Sequence, residues 1–154
     1  MRITYSIDLS GRPDEVFPWI AEPEKAMLWQ KGVKGGEILN EAPEKTGTTF
    51  KEVMEENGKS LEMSGVITEY VPNELIALHL NSKIHKVDVS YAIQSTSKGS
   101  TVTMESKIRW KFPMNIMSVF IGRKIKDNIL KQTEAEFAEL ANLCETEPAS
   151  GRKE

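Results

Sequence analysis

The sequence predicts an α+β domain: a curved, seven-stranded antiparallel sheet covered by one long C-terminal helix, with two short helices after the first strand. Three observations carry this. Residues 34 to 112 alternate in polarity strand by strand and are cut only by short turn signals. The stretch from 12 to 32 instead clusters its apolar residues at helical spacing. Residues 114 to 144 contain no proline and keep an apolar helical stripe along their length. A sheet with one apolar face must cover that face, and the chain offers one long helix to do it.

The opening RITYSIDLS sets Ile3, Tyr5, Ile7 and Leu9 against Thr4, Ser6, Asp8 and Ser10, a strand with one buried face. Pro13, Asp14 and Glu15 then suit the first turn of a helix, followed by Val16, Phe17, Trp19 and Ile20. Pro18 is expected to be tolerated because the first helical N–H groups need no partner within the helix. Pro23 ends this helix and opens a second that carries Met27, Leu28 and Trp29 and closes at Gly32.

Six strands follow: GGEILNE, GTTFKEVME, SLEMSGVITEYV, ELIALHLN, HKVDVSYAIQS and STVTMESKIRWKF. The connections APEKTG, EENGKS, VPNE, NSK and TSKGS are short enough to demand hairpins, hence an antiparallel meander. In the last strand Val102, Met104, Ser106, Ile108, Trp110 and Phe112 share the dry face. In the strand before it, Val87, Val89, Tyr91 and Ile93 do. Gly65, inside a long strand, predicts a bulge or sharp bend. The final helix is expected to bury Met114, Met117, Ile121, Ile125 and Ile129 in its first half. Its second half would bury Leu130, Thr133, Phe137, Leu140, Ala141 and Cys144, a stripe that drifts as it crosses a twisted sheet. Asn128, Gln132 and Glu136 lie near the buried side, either exposed at its edge or looking into a cavity.

Composition narrows the function. With 154 residues, 28% charged and 39% hydrophobic, the chain is one domain with a core of its own. The net charge is −3 and no basic stripe is interleaved with aromatics, so no nucleic-acid partner is expected. GRKIKDNILK is locally basic and reads as a solvated helix face. The single cysteine, Cys144, excludes an internal disulfide. Together with the lack of a signal-peptide pattern at the start, it points to a reducing cytoplasm. ETEPASGRKE reads as a frayed tail, which sets a domain at 1–145 and a flexible tail at 146–154. The apolar run in RWKFPMNIMSVFIGRKI is too short to cross a bilayer, which takes ~20 residues.

Four phrases in order resemble the START-like superfamily, the polyketide cyclase/dehydrase and lipid-transport group. They are RPDEVFPWIAEPEKAMLW at 12–29, GTTFKEV at 47–53, GVITEYVPNELIALHL at 65–80 and GSTVTMESKIRW at 99–110. The resemblance spans about residues 2 to 144 and implies the helix-grip fold, a curved sheet wrapped round the C-terminal helix. It also implies a ligand cavity between sheet and helix, with its mouth near the start of that helix. A single helix about 10 Å across cannot fill such a sheet, so the remainder is packed side chains or a hollow. The apolar run is then a core helix end, a gate to the cavity, or a dimer or membrane-surface patch. The candidate ligand contacts are Trp29, Phe50, Met63, Val89, Tyr91, Met104, Ile108 and Trp110, with Met117, Ile121, Ile125 and Asn128 from the helix.

Catalytic signals are sparse. His79 alternates with Leu78 and Leu80 and so faces solvent. Neither it nor His85 stands at a metal-ligand spacing, and no cofactor fingerprint occurs. No catalytic residue, metal or cofactor is therefore assigned. Glu52, Glu55, Glu56, Glu62 and Glu69 are explained by a solvated face, with Glu69 the one to watch. The expected function is binding or transport of a hydrophobic small molecule or lipid. The alternatives are a cyclase/dehydratase-like enzyme, in which Tyr91, Asn128 and Gln132 could position a chain, or an interaction module like the chaperone-ATPase activators. A homodimer is possible on any of these readings.

Overall fold

The computed structural model describes residues 1–56 and 58–146. Its elements run β1 (Arg2–Leu9), α1 (Pro13–Ala21), α2 (Pro23–Ala26), β2 (Val33–Asn40), β3 (Thr49–Glu56), β4 (Lys59–Val71), β5 (Leu75–Asn81), β6 (His85–Thr96), β7 (Gly99–Trp110) and α3 (Met114–Thr146). The seven strands form one antiparallel sheet in the order β1-β7-β6-β5-β4-β3-β2. Each hairpin pairs neighbours in sequence, and β1 closes beside β7, with Ile3 opposite Ser106 and Leu9 opposite Ser100. This is the helix-grip architecture that the family resemblance implied. Of the expected tail, residues from 147 onward lie outside the described residues.

The period-two assignments hold where strands are central. Val102, Met104, Ser106 and Ile108 are buried on β7, and Val89, Tyr91 and Ile93 on β6. They pack with Ile3, Leu9, Val16, Phe17, Trp19 and Trp29 against Phe137 and Leu140 of α3. At the open end the pattern fails. β7 stops at Trp110, which is half-buried and tilted against His85 at 5.2 Å. Phe112, expected on the dry face, stands in solvent.

Three local expectations are corrected. Helix α2 ends at Ala26, not at Gly32; residues 27–29 form a turn that folds Trp29 inward and leaves Leu28 exposed. Pro18 lies well inside α1, beyond the free first-turn N–H groups, so one helical bond is lost there. At the helix start Glu15 supplies one bond in return, with the Arg12 N–H donating to its Oε1 at 3.1 Å. Gly65 is not a bulge. It sits opposite Phe50, and a Cβ there would come within 2.3 Å of the Phe50 ring. The bulge falls two residues on, between Ile67 and Glu69.

Helix α3 departs most from expectation. Thr133, Phe137 and Leu140 are buried, but Met117 and Ile121, which the stripe placed under the sheet, are 49 % and 46 % exposed. Ile121 has non-helical angles (φ −123°, ψ 15°), a kink that separates the two halves. The physical reason lies in the run itself. A segment apolar on nearly every side needs cover on every side, and a sheet covers one. Cys144, in the packed half, is half-buried, and desolvation with the nearby Glu145 charge pushes its thiol up to about 12, away from any nucleophilic role.

Candidate functional site

A hollow lies between the α1–α2 turn and the inner face of β2 to β5, with Tyr91 of β6 at its far end. Its volume is about 490 Å³. Ile20, Ile38, Phe50, Ile67, Ile76 and Leu78 supply apolar walls. Phe50 reaches this position because Gly65 leaves room for its ring on the neighbouring strand, the close approach that explains the glycine. Charged residues stand at the rim, where Lys45 pairs with Glu41 at 2.5 Å. The back is different: Gln30, Glu52 and Tyr91 bring polar groups into the hollow.

These polar groups are electrically unusual. Glu52 shares its strand face with Phe50 and Met54, and burial raises its carboxyl above the usual value of 4.5. Tyr91 is buried; desolvation, then the charges of Glu136 and Glu52, drive its phenol upward, while a hydrogen bond with Gln30 opposes them. The phenol therefore stays neutral and able to donate a hydrogen bond. Glu136 on α3 is raised by burial, against the opposing hydrogen bonds from Gln132 and the Lys31 N–H. Its Oε2 accepts from the Lys31 N–H at 2.7 Å and from Gln132 Nε2 at 3.3 Å. Gln132 Nε2 also donates to the Lys31 carbonyl at 3.2 Å. Gln132 and Glu136 thus tie the loop after α2 to the long helix.

Raised carboxyls make stability depend on pH in a definite direction. The folded state holds these protons more tightly than the unfolded chain does. The contribution of these two groups is therefore fully present below the ordinary carboxyl value of 4.5 and is lost as pH climbs from there through the raised folded value. Replacing Glu52 by Gln is expected to flatten that decline and to raise stability at neutral pH. Urea titrations at pH 5 and 7 measure it. An unchanged slope between those pH values would place the Glu52 carboxylate in water.

Of the twelve candidate contacts, two line this hollow, Phe50 and Tyr91. Trp29 stands behind Tyr91, edge-on at 6.1 Å, and donates through Nε1 to the Trp19 carbonyl at 2.8 Å. Met63, Val89, Met104 and Ile108 belong to the packed core. Trp110 is half-buried at the open end of the sheet. Ile125 is half-buried on α3, and Asn128, Met117 and Ile121 are exposed there. The structure thus brings Trp29, Phe50 and Tyr91 together and leaves the helix residues outside the hollow.

The sequence reading missed Gln30, Glu52, Ile67 and Leu78 as lining residues. For Glu52 a signal existed: alternation puts it on the face of Phe50, so it could not belong to a solvated one. Glu69 is exposed and outside the hollow. His79 does face outward, where Nδ1 lies 2.6 Å from Asp88, which Arg109 also approaches at 3.3 Å. A second depression of about 210 Å³ on that outer face is lined by Arg2, Asp88, Glu105 and Lys107, among others. No group of three His, Cys, Asp or Glu side chains among the described residues is placed to hold a metal ion. No helix among them is long and apolar enough to cross a membrane.

Solved structures share this fold. A START superfamily protein from Mycobacterium smegmatis is similar over 94% of this chain and 97% of its own, with a TM-score of 0.77 at 14% identity. A Thermus thermophilus protein matches over 92% and 95% of the two chains, with a TM-score of 0.75 at 12% identity. A Staphylococcus aureus protein of unknown function matches over 95% and 94%, with a TM-score of 0.72 at 13% identity. Identities this low speak for the fold alone. No curated protein matches the chain. The family model for polyketide cyclase / dehydrase and lipid transport matches residues 1–144, nearly every residue of the folded part, and the chain belongs to that family.

Proposed function

We propose that the protein binds or carries a hydrophobic small molecule or lipid in the hollow between the α1–α2 turn and strands β2–β5. The single observation that carries the reading is a space of about 490 Å³ with apolar walls and a small polar group at one end. Sites for small ligands have this size and balance, ~300–1,000 Å³ with few polar groups to fix orientation. The apolar part of the ligand would lie against Phe50, Ile67 and Leu78. A carbonyl or hydroxyl would meet Tyr91 and Glu52, both suited to donate a hydrogen bond when protonated. Membership of a family named for lipid transport and polyketide chemistry supports the same class of ligand. A reducing cytoplasm remains the proposed location, with Cys144 as a thiol.

Native mass spectrometry and solvent extraction of the purified protein test this directly, with a fluorescent apolar probe as competitor. A co-purifying apolar molecule, or saturable probe binding, is expected. Leu78→Trp, which intrudes on the hollow, is expected to weaken the probe by about tenfold. A clean protein mass together with no probe response overturns the reading.

A second reading, a cyclase/dehydratase-like enzyme, is favoured by one observation: Tyr91 and Glu52 converge at the end of an apolar chamber. Such an enzyme would hold a flexible chain folded and donate a proton to its carbonyl, so that catalysis is mainly positioning. Tyr91→Phe separates the two readings. It would abolish turnover in an enzyme and only modestly weaken binding in a carrier. The interaction-module reading calls for a filled interior, which this hollow does not supply.

A further inference from the structure

The apolar run at the start of α3 is unused by the hollow. Phe112, Val119 and Phe120 are 75 %, 79 % and 82 % exposed, with Ile116 at 51 %. Nothing among the described residues covers them, and no charge interrupts the sequence between Lys111 and Arg123. Single exposed apolar side chains are ordinary; four large ones within nine positions form a patch that calls for a partner.

The charges around the patch say what kind. Residues 109–131 hold six cations (Arg109, Lys111, Arg123, Lys124, Lys126 and Lys131) and one acid, Asp127. The whole chain holds 20 cations and 23 acids, so 14 against 22 remain elsewhere. A molecule that is acidic overall thus concentrates positive charge beside its most exposed apolar side chains. Arg109 and Lys111 are engaged with Asp88 and with Asn81 and Ser82. Arg123, Lys124, Lys126 and Lys131 form no ion pair among the described residues. Arg123 and Lys124 follow Phe120 by three and four positions, just beyond the kink at Ile121. The centres of protein–protein interfaces are depleted of lysine. An anionic lipid surface takes both features at once: apolar side chains at the acyl boundary and cations among the headgroups. The segment is too short to span a bilayer, so it would lie in the surface. The kink at Ile121 lets this first part of α3 take its own direction while Phe137 and Leu140 keep the rest anchored in the core.

We propose that residues 112–121 are a surface-docking element that inserts Phe112, Ile116, Val119 and Phe120 shallowly into an anionic membrane, with Arg123, Lys124 and Lys126 on its headgroups. This stands apart from what the hollow binds, since it needs neither an occupant nor an opening there.

Co-sedimentation of the full chain with vesicles tests it, using phosphatidylcholine alone and an equimolar mixture of phosphatidylcholine and phosphatidylglycerol. Binding is expected to the mixed vesicles and to fall with added salt. Arg123→Gln with Lys124→Gln should weaken it by about tenfold. Val119→Ser with Phe120→Ser should abolish it. The unfolding midpoint should not move in either variant, since all four side chains stand in solvent. Three results would overturn the proposal: no vesicle binding, equal binding to both compositions, or a concentration-dependent dimer that Val119→Ser with Phe120→Ser splits while vesicles are ignored. The last would make the patch a contact between copies of this chain.

Discussion

Trp29→Ala is expected to destabilise the protein by ~3–5 kcal/mol, the range for deleting a large buried aromatic. Trp29 is fully buried, although it sits in a turn rather than in a helix or strand. Its ring is edge-on to Phe137 at 5.8 Å and to Tyr91 at 6.1 Å, so it joins α3 and β6 to the segment after α2. Such aromatic pairs contribute beyond the area they bury. Its Nε1 donates to the Trp19 carbonyl at 2.8 Å, which pins this turn to the end of α1. Alanine would leave a cavity beside the Phe137 and Tyr91 rings and free the Trp19 carbonyl. Because Tyr91 leans on Trp29, the polar end of the hollow should loosen as well, and probe affinity should fall together with stability. Urea denaturation combined with probe titration measures both. A loss below 1 kcal/mol would mean that the turn is not held where it stands.

Gly99→Ala is expected to cost about as much, ~3–5 kcal/mol, for a wholly different reason. Gly99 begins β7 with φ +144°, a conformation that side chains rarely adopt. A Cβ here would lie 2.3 Å from the Leu9 carbonyl oxygen and 2.5 Å from the carbonyl of Ser10. The obstacle is backbone, so no flexible side chain can swing aside. Relief requires the end of β1 to draw away from β7. That movement would also break the bond from the Ser100 hydroxyl to the Gly11 carbonyl, 2.6 Å long and fully buried on the serine side. Gly65→Ala is the instructive contrast. Its nearest obstacle is the tip of the Phe50 ring, which can move into open space. Gly99→Ala should therefore lower the unfolding midpoint more than Gly65→Ala does. The reverse order would show that β1 yields more easily than a side chain.

Sequence reasoning reached the strands with little error because each rests on a local rule. On β6 and β7, alternate residues point to one face, and Val89, Tyr91, Val102, Met104 and Ile108 could be assigned to the core without knowing what covers them. The same rule would have turned Glu52 inward beside Phe50, had its charge not suggested water. On α3 the rule failed. From Phe112 to Ile121 apolar residues occur on all sides, so periodicity names no buried face. The stripe read there was one choice among several, and the kink at Ile121 selects none of them for the sheet.

By itself the sequence determined the order of elements, the antiparallel meander, the inward faces of the central strands and membership in a helix-grip family. All of these follow from short-range periodicity, turn chemistry and phrases within one element or hairpin. The place of the hollow was decided by tertiary structure alone. It depends on where the α1–α2 turn comes to rest over β2 to β5, on Gly65 making room for a ring from another strand, and on Lys31 meeting Gln132 and Glu136 about a hundred residues away. Contacts of that kind are selected by packing the whole chain at once, and no window of sequence contains both partners.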